Sequence, residues 1–317
     1  MADYKKYQSD GVSAEDKALD KFAELMIEKI ESLKNSDSWK QPWFTEGSLR
    51  WPRNLSGREY NGMNALLLMM LCEKQNYKLP VFCTFNRAVG LNYTTDKQGA
   101  KKPITDADGQ PLPRVGINKG EKSFPVMLTT FTVVDKDTKE KINYEDYKRL
   151  SNDEKAQYNV YPKLNVYQVF NVDQTNLKEA RPDLYAKLES ENKLQRPFSG
   201  EGESFKFPAM DAMIAENKWI CPINLVHQDN AYFSISKNQI TLPEKSQFKD
   251  GESFYGTAFH EMTHSTGTAE MFNRFNPESG FGSAEYAKEE LVAELGSALV
   301  AQRYGMTKNL KDDSAVY

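Results

Sequence analysis

Two of the three histidines in the chain are four residues apart, in the sequence His260-Glu261-Met262-Thr263-His264. On a helix, positions i and i+4 share one face, so both imidazoles can bind the same metal ion. Glu261 then lies beside the metal, where it can act as general base on a zinc-bound water. This HExxH spacing predicts a zinc-dependent hydrolase site with one Zn²⁺ per chain.

A catalytic zinc site of this type needs a third protein ligand and keeps one position open for water. We favour Glu290 as that ligand, with Glu294 as second choice, because a downstream helix carrying ExxxE resembles the layout of gluzincin metallopeptidases. If Glu290 is the ligand, Glu294 can accept the N–H of a ligand histidine. Glu289 and Glu270 stay open as alternatives. His227 lies in a polar stretch and is expected to be a loop residue.

Amide hydrolysis at such a site also requires a donor for the developing oxyanion. The sequence does not choose among four candidate tyrosines, which are Tyr232, Tyr255, Tyr286 and Tyr304. A strand near 231–235 is the candidate edge that pairs with an extended peptide substrate.

A second group of candidate residues lies within 39–64, where aromatic and basic side chains alternate. Aromatic rings stack on unpaired bases, and neighbouring cations follow the phosphates. The group contains Trp39, Trp43, Trp51, Lys40, Arg50, Arg53 and Arg58, with Asn54, Asn61 and Asn64 to hydrogen-bond base edges or hold turns. A second basic run, 114–122, includes Lys119 and Lys122. Tryptophans buried under a proline-rich loop would explain the same composition.

Periodicity predicts the elements that carry these residues. Apolar spacing indicates helices at 14–33, 63–74, 208–217, 251–267 and 284–304. Strands are predicted at 123–134 and 166–172, and as a hairpin at 231–235 and 239–242. Two polar segments, 96–123 and 140–163, are interpreted as insertions, the second with a short helix.

Length and charge suggest two parts with different partners. The 317 residues are enough for about two domains. The net charge of -4 conceals a basic segment, since 40–122 holds 13 basic and 7 acidic residues. The three cysteines are widely spaced, no apolar run could span a bilayer, and the N-terminus lacks a secretory signal. We therefore expect a cytoplasmic protein with no membrane partner.

Longer stretches of the sequence resemble the domains of a known protein family. PRNLSGREYNGMNALLL, GINKGEKSFPV and YQVFNVDQT resemble the N-terminal single-stranded-DNA-binding domain of the ArdC-type antirestriction proteins. This domain is also similar to one in TraC-type primases. AYFSISKNQITLPEKSQF, FHEMTHSTG and FGSAEYAKEELVAELGSAL resemble the zincin-like metallopeptidase domain of the same family. The resemblance covers roughly residues 20–310, in the expected order.

The resemblance implies His260 and His264 as metal ligands, Glu261 as catalytic carboxylate and an acidic ligand within 289–294. It also implies nucleic-acid contact near 43–64 and 119–122, with the candidates Trp43, Arg53, Asn54, Arg58, Tyr60, Asn64, Lys119 and Lys122.

We therefore expect an α+β fold with a single-stranded-DNA-binding domain at 1–180, a linker at 181–205 and a metallopeptidase domain at 206–317. The expected function is that of a mobile-element antirestriction protein that binds single-stranded DNA and carries a zinc metallopeptidase site. A protein substrate or a component of a restriction system would be its other partner. The alternative is a replication or conjugation accessory protein whose zincin domain is structural or inactive.

Overall fold

The computed structural model describes residues 13–34, 51–96, 98–192, 199, 205–275 and 282–306. The described chain mixes helices and strands, as the sequence predicts. Its helices are α1 (Ala14–Lys34), α2 (Gly62–Gln75), α3 (Phe85–Gly90), α4 (Tyr144–Arg149), α5 (Asn152–Lys155), α6 (Leu177–Ala180), α7 (Pro182–Glu191), α8 (Pro208–Ala215), α9 (Gly251–Ser265) and α10 (Ala284–Tyr304). Its strands are β1 (Arg53–Asn54), β2 (Val81–Thr84), β3 (Tyr93–Thr95), β4 (Lys101–Pro103), β5 (Phe124–Asp135), β6 (Lys141–Ile142), β7 (Tyr158–Asn171), β8 (Ile223–Val226), β9 (Tyr232–Ser234) and β10 (Gln239–Pro243).

Contacts divide the chain into two compact units. The first takes its described residues from Met1–Glu28, Arg53–Leu67 and Val81–Leu188. The second takes them from Lys29–Pro52, Leu68–Pro80 and Glu189–Tyr317. No helix in the described part of the chain is both long enough and apolar enough to cross a membrane.

The first unit contains a five-stranded sheet in the order β1-β2-β7-β5-β6. Its centre is the long antiparallel pair β5 and β7, in register from Phe124 opposite Val169 to Asp135 opposite Tyr158. Strand β2 is antiparallel to β7, whereas β1 is parallel to β2.

Strand β7 corrects one sequence prediction. The strand predicted at 166–172 begins at Tyr158, so the segment 140–163 is only partly an insertion and holds β6, α4, α5 and the first part of β7. The outer half of β7 leaves four consecutive residues, 161–164, exposed. An alternating apolar pattern arises only where one face of a strand is buried. The exposed half of β7 has no such pattern, so the sequence predicted the strand only from residue 166.

The remaining predicted elements are confirmed with small changes in their ends. The helix predicted at 14–33 spans Ala14–Lys34, and that at 63–74 spans Gly62–Gln75, with every residue from Ala65 to Cys72 buried. The predicted helices of the second unit are α8, α9 and α10. The predicted hairpin is the antiparallel pair β9 and β10. Helix α7, with buried Tyr185 and Leu188, lies in the segment 181–205.

The second unit contains a three-stranded sheet in the order β8-β10-β9, which packs against α9. Asp250 caps the N-terminus of α9 by accepting a hydrogen bond from the Ser253 amide. Apolar side chains of α8, α9 and β10 form the core, including Met210, Ile240, Leu242, Phe254, Tyr255, Ala258, Phe259 and Met262.

Helices α9 and α10 pack together in a contact that depends on Gly296. A Cβ atom at Gly296 would lie 2.6 Å from Cγ2 and 2.7 Å from Oγ1 of Thr263. The Thr263 hydroxyl donates a 2.8 Å hydrogen bond to the Phe259 carbonyl, which restricts the rotation of this β-branched side chain. Gly296 therefore sets how closely α10 approaches the HExxH helix.

Replacing Gly296 by alanine tests this packing contact. In an unconstrained helix interior, Gly→Ala stabilises by about 1 kcal/mol. Here we expect the opposite sign, a loss of about 1–3 kcal/mol in the free energy of unfolding, because the new methyl overlaps Thr263. Chemical denaturation of the metal-free protein measures the change. The double variant Gly296→Ala/Thr263→Ala should recover part of the loss, whereas a stabilising single variant would show that the contact is not tight.

Candidate metal centre and nucleic-acid interface

The two histidines of the HExxH motif lie on one face of α9 and point toward α10. The Nε2 atoms of His260 and His264 are 3.0 Å apart, and both side chains are mostly buried. On α10, Glu290 places Oε2 3.5 Å from Nε2 of His260 and Oε1 3.5 Å from Nε2 of His264. One potential ligand atom from each residue lies within 4.8 Å of the other two.

The opposite ring nitrogens face other carboxylates. Nδ1 of His260 lies 3.6 Å from Oε1 of Glu294, which places this carboxylate on the side of the ring where it could support a ligand histidine. Nδ1 of His264 lies 3.3 Å from Oε1 of Glu289. Glu290 and Glu294, four residues apart, share one face of α10, and Glu289 lies beside Glu290 on the adjoining face. Together the three carboxylates face both sides of the two imidazoles.

Two nitrogens and one carboxylate oxygen form a donor set that suits a divalent transition metal. Catalytic zinc sites use the same His₂Glu combination, and imidazole also suits other first-row metals. Each Nε2 faces the shared point while each Nδ1 faces a carboxylate, which is the arrangement that orients ligand histidines. The residues therefore fit a metal held by His260, His264 and Glu290.

The electrostatics of the cluster reflect mutual pairing of buried groups. Burial alone would lower the pKa of His264, but hydrogen bonds to Glu289 and Glu290 outweigh it and raise the pKa to about 9. Burial alone would raise the pKa of Glu290, but hydrogen bonds with both histidines hold it well below its ordinary range. The carboxylate of Glu290 is thus ionised at neutral pH, as a metal ligand must be.

Glu261 lies on the buried side of α9, with 3% of its surface exposed. Burial raises the pKa of its carboxyl group, against the lowering effects of both histidines and of the Phe233 backbone amide. Phe233 belongs to β9, the edge strand of the three-stranded sheet. Glu261 therefore lies between the metal-ligand cluster and an exposed strand edge.

Among the four candidate tyrosines, Tyr286 is the one placed at this cluster. Its hydroxyl hydrogen-bonds Glu290, and burial followed by that bond raises its pKa to about 12. Tyr255 is engaged elsewhere, since its hydroxyl donates to Asp211. Tyr304 stacks on Phe259, and Tyr232 is exposed on β9.

One alternative ligand from the sequence, Glu270, is not in the cluster and is exposed in the turn after α9. His227 is exposed after β8, beside Glu244, as expected for a loop residue. Sequence reasoning missed Arg274, which contacts Glu289 from the loop after α9. No spacing rule relates this arginine to the HExxH motif, so only the folded loop reveals it.

The predicted nucleic-acid residues divide by what their side chains contact. Trp43 lies outside the described residues, as do Trp39, Lys40 and Arg50. Asn54 accepts hydrogen bonds from the amides of Ser56 and Arg58 and so holds a tight turn. Asn64 makes two hydrogen bonds to the Met127 backbone, tying α2 to β5. These two amides have structural partners within the first unit.

Other members of the set are half-buried or exposed. Tyr60 packs edge-on against Phe82, and burial raises its pKa to about 12. Arg53 begins β1 and is half-buried, whereas Arg58 is exposed at the following turn. Trp51, from the second unit, lies under the guanidinium of Arg303.

Lys119 and Lys122 are exposed on a turn that is anchored to the sheet. The side-chain amide of Gln174 donates to Oε2 of Glu121 and to the Lys122 backbone carbonyl. The backbone amide of Asn118 donates to the backbone carbonyl of Gln174. Gly120, at φ 93°, makes the turn possible. The fold therefore presents both ammonium groups on a fixed backbone.

Comparison with protein families assigns both parts of the chain. A model of the N-terminal domain of anti-restriction factor ArdC matches residues 16–170. A model of zincin-like metallopeptidases matches residues 208–317.

Two curated relatives from Escherichia coli, both DNA primase TraC, match most of this chain. One is 30% identical over 295 residues and the other 25% over 290, each match covering 90% of this chain. They cover only 17% and 23% of the relatives, so the chain spans about a fifth of the length of these proteins. A protein from Sinorhizobium fredii, y4eC, is 32% identical over 87 residues, which are 27% of this chain and 28% of that protein.

Two crystal structures share the fold. They are the metal-free and Mn(II)-bound structures of the antirestriction ArdC protein from plasmid R388, each with a TM-score of 0.56 and 22% identity. Each match covers 93% of this chain and 85% of the ArdC chain. With an ArdC-type N-terminal domain followed by a zincin-like metallopeptidase domain, the chain belongs to the ArdC-type family.

Proposed function

We propose that this protein is an antirestriction factor of a mobile element, with a metal-dependent peptidase site and a single-stranded-DNA-binding domain. The observation that supports it most is the convergence of His260, His264 and Glu290, with buried Glu261 beside them. The proposed division is a DNA-binding domain at 1–180, a linker at 181–205 and a peptidase domain at 206–317.

The proposed metal ligands are His260, His264 and Glu290, with Glu294 and Glu289 orienting the two histidines. The proposed metal is Zn²⁺, which the His₂Glu donor set suits. Mn²⁺ is the competing choice, since it is the ion in the related ArdC crystal structure. When bound, such a metal supplies Lewis-acid polarisation of a scissile carbonyl.

Glu261 is the proposed general base. Its carboxylate would take a proton from the attacking water and pass it to the leaving amine nitrogen. Burial raises the pKa of this carboxyl group, which strengthens it as a base compared with an exposed glutamate. Tyr286, hydrogen-bonded to Glu290 in the structure, is the proposed donor to the oxyanion.

The exposed edge of β9 is the proposed position of an extended peptide. Among the described residues, strand β9 pairs only with β10, so the proposed peptide would lie along its other edge. Because the Phe233 amide of β9 contacts Glu261, a peptide along this edge would pass beside the general base.

The DNA-binding part of the proposal rests on exposed cations of the first unit. Arg58, Lys119 and Lys122 are exposed, and the latter two lie on an anchored turn. Such cations contact phosphates whatever the base sequence of the DNA. Two of the relatives are named as DNA primases, and the related crystal structures are of an antirestriction protein.

A second candidate function is supported by the TraC relatives, which are named as primases. In this alternative, the chain holds single strands during replication or conjugation, and its zincin domain binds metal without cleaving peptides. The two functions differ in whether Glu261 is required.

Replacing Glu261 by glutamine tests the peptidase proposal. The amide keeps the shape but cannot accept a proton, so we expect cleavage to fall about 10²- to 10⁴-fold while zinc affinity is retained. Zinc-loaded protein is incubated with a library of protein-derived peptides, and mass spectrometry detects the products. His264→Gln is the matched control, which should lose both zinc binding and cleavage.

The same variants are compared for protection of unmodified plasmid DNA in a restricting host. Loss of protection in Glu261→Gln would support a proteolytic mechanism. Full protection by a variant that binds zinc but cleaves no peptide would contradict it and favour the accessory function.

Replacing Lys119 and Lys122 by alanine tests the DNA interface. The plot of log affinity against log salt has a negative slope, and each lost phosphate contact should make it less steep by about 0.7 for a single strand. Fluorescence anisotropy with labelled oligothymidylate, over a series of sodium chloride concentrations, measures the slope. Lys101→Ala and Lys141→Ala remove the same charge from other exposed positions of the first unit. Equal effects of both pairs would show that net charge, and not this turn, determines binding.

A further inference from the structure

Arg274 makes an unusually complete set of contacts for a loop residue. Its Nε donates to Oε2 of Glu289 at 3.0 Å, and its Nη2 donates to Oε1 at 2.8 Å. Nη2 also donates to the Thr263 carbonyl, and Nη1 donates to the Thr266 hydroxyl, both at 2.9 Å. The guanidinium thus connects α10 to the C-terminal end of α9.

We propose that Arg274 is a positioning residue for the metal centre, acting through Glu289 on His264. This inference rests on the proposed metal site. The Arg274 fork fixes both oxygens of Glu289, and Oε1 of that carboxylate lies 3.3 Å from Nδ1 of His264. With Nδ1 held by the carboxylate, Nε2 is the nitrogen left to bind metal.

The chemistry of arginine explains why this residue type suits the position. A guanidinium binds a carboxylate through two parallel N–H groups, so it fixes the plane of the carboxylate as well as its position. The remaining N–H groups reach the end of the helix that carries His264. A lysine offers a point charge and could not make these contacts together.

Burial makes the pair stronger than a surface ion pair. The side chains of Arg274 and Glu289 are 22% and 14% exposed, and that of His264 is 13% exposed. Charge-assisted hydrogen bonds in such surroundings are less screened by solvent. The arrangement is therefore expected to hold the His264 ring in one orientation before any metal binds.

The arrangement is asymmetric, which makes it testable. The hydrogen bonds of Arg274 reach the His264 side of the site, whereas His260 faces Glu294 through its own Nδ1. Loss of Arg274 should therefore change His264 selectively. A role limited to general stability would affect both histidines alike.

The test compares Arg274→Met and Arg274→Lys with wild type and with the control Arg303→Met, which removes an exposed arginine of α10. Zinc affinity is measured by competition with a chromophoric chelator. Orientation is measured on zinc-loaded protein by ¹⁵N–¹H correlation of labelled histidines. The chain has three histidines, and His227→Gln assigns the third ring.

We expect both Arg274 variants to weaken zinc binding roughly 10- to 100-fold, with no change in Arg303→Met. The Nδ1 proton of His264 should exchange faster and its signal shift, while the His260 signals stay in place. Arg274→Met should add little to the loss already caused by Glu289→Gln, because both changes break the same connection.

Three results would contradict the proposal. Unchanged zinc affinity in folded Arg274 variants would show that the arginine only anchors its loop. Equal shifts of both histidine rings, or fully additive losses with Glu289→Gln, would show a general effect on stability. If wild type binds no zinc, the proposed metal site itself fails. If wild type and the Arg274 variants bind zinc equally tightly, only the proposed role of Arg274 fails.

Discussion

The candidate site depends on how closely two helices approach each other. HExxH on α9 supplies two imidazoles, but the carboxylates that face them come from α10. The absence of a side chain at Gly296 lets α10 lie against Thr263, the residue that directly precedes His264 in the motif. Because a glutamate side chain has limited reach, the spacing of the helix backbones decides whether Glu290 can contact both Nε2 atoms.

Burial of several charges together follows from that approach. Two histidines and three glutamates share a mostly buried region, which would be costly for any of them alone. Each carboxylate of α10 faces an imidazole, and Arg274 adds a cation from the loop after α9. The same packing gives each histidine a carboxylate at Nδ1 and leaves the two Nε2 atoms facing one point. The same carboxylates therefore both offset the cost of burial and orient the ligand histidines.

The sequence predicted the parts of the site that depend on local geometry. The helical spacing of His260 and His264 needs only i, i+4 geometry, and the periodicity of α10 predicted a helix carrying carboxylates. The choice among Glu289, Glu290 and Glu294 depends on how α10 packs against α9, and the close contact of Gly296 with Thr263 is part of that packing. That contact, like that of Arg274, joins residues distant in sequence, so no local pattern reports it.

Prediction was weaker in the first unit for a related reason. An asparagine beside arginines has the composition of a base-reading surface, yet Asn54 and Asn64 hydrogen-bond backbone groups of their own unit. Composition cannot distinguish an amide that holds a turn from one that faces a ligand, since both are polar and near the surface. The anchoring of Lys119 and Lys122 by Gln174 was equally invisible, because it joins segments about 50 residues apart.

The proposed site requires that His260, His264 and Glu290 together hold one divalent metal ion. Anomalous diffraction at the zinc absorption edge, from crystals of the zinc-loaded protein, tests it most directly. We expect one anomalous peak per chain, about 2.0–2.2 Å from Nε2 of both histidines and from a carboxylate oxygen of Glu290. A peak coordinated by Glu289 or Glu294 instead, or no peak at these histidines, would contradict it.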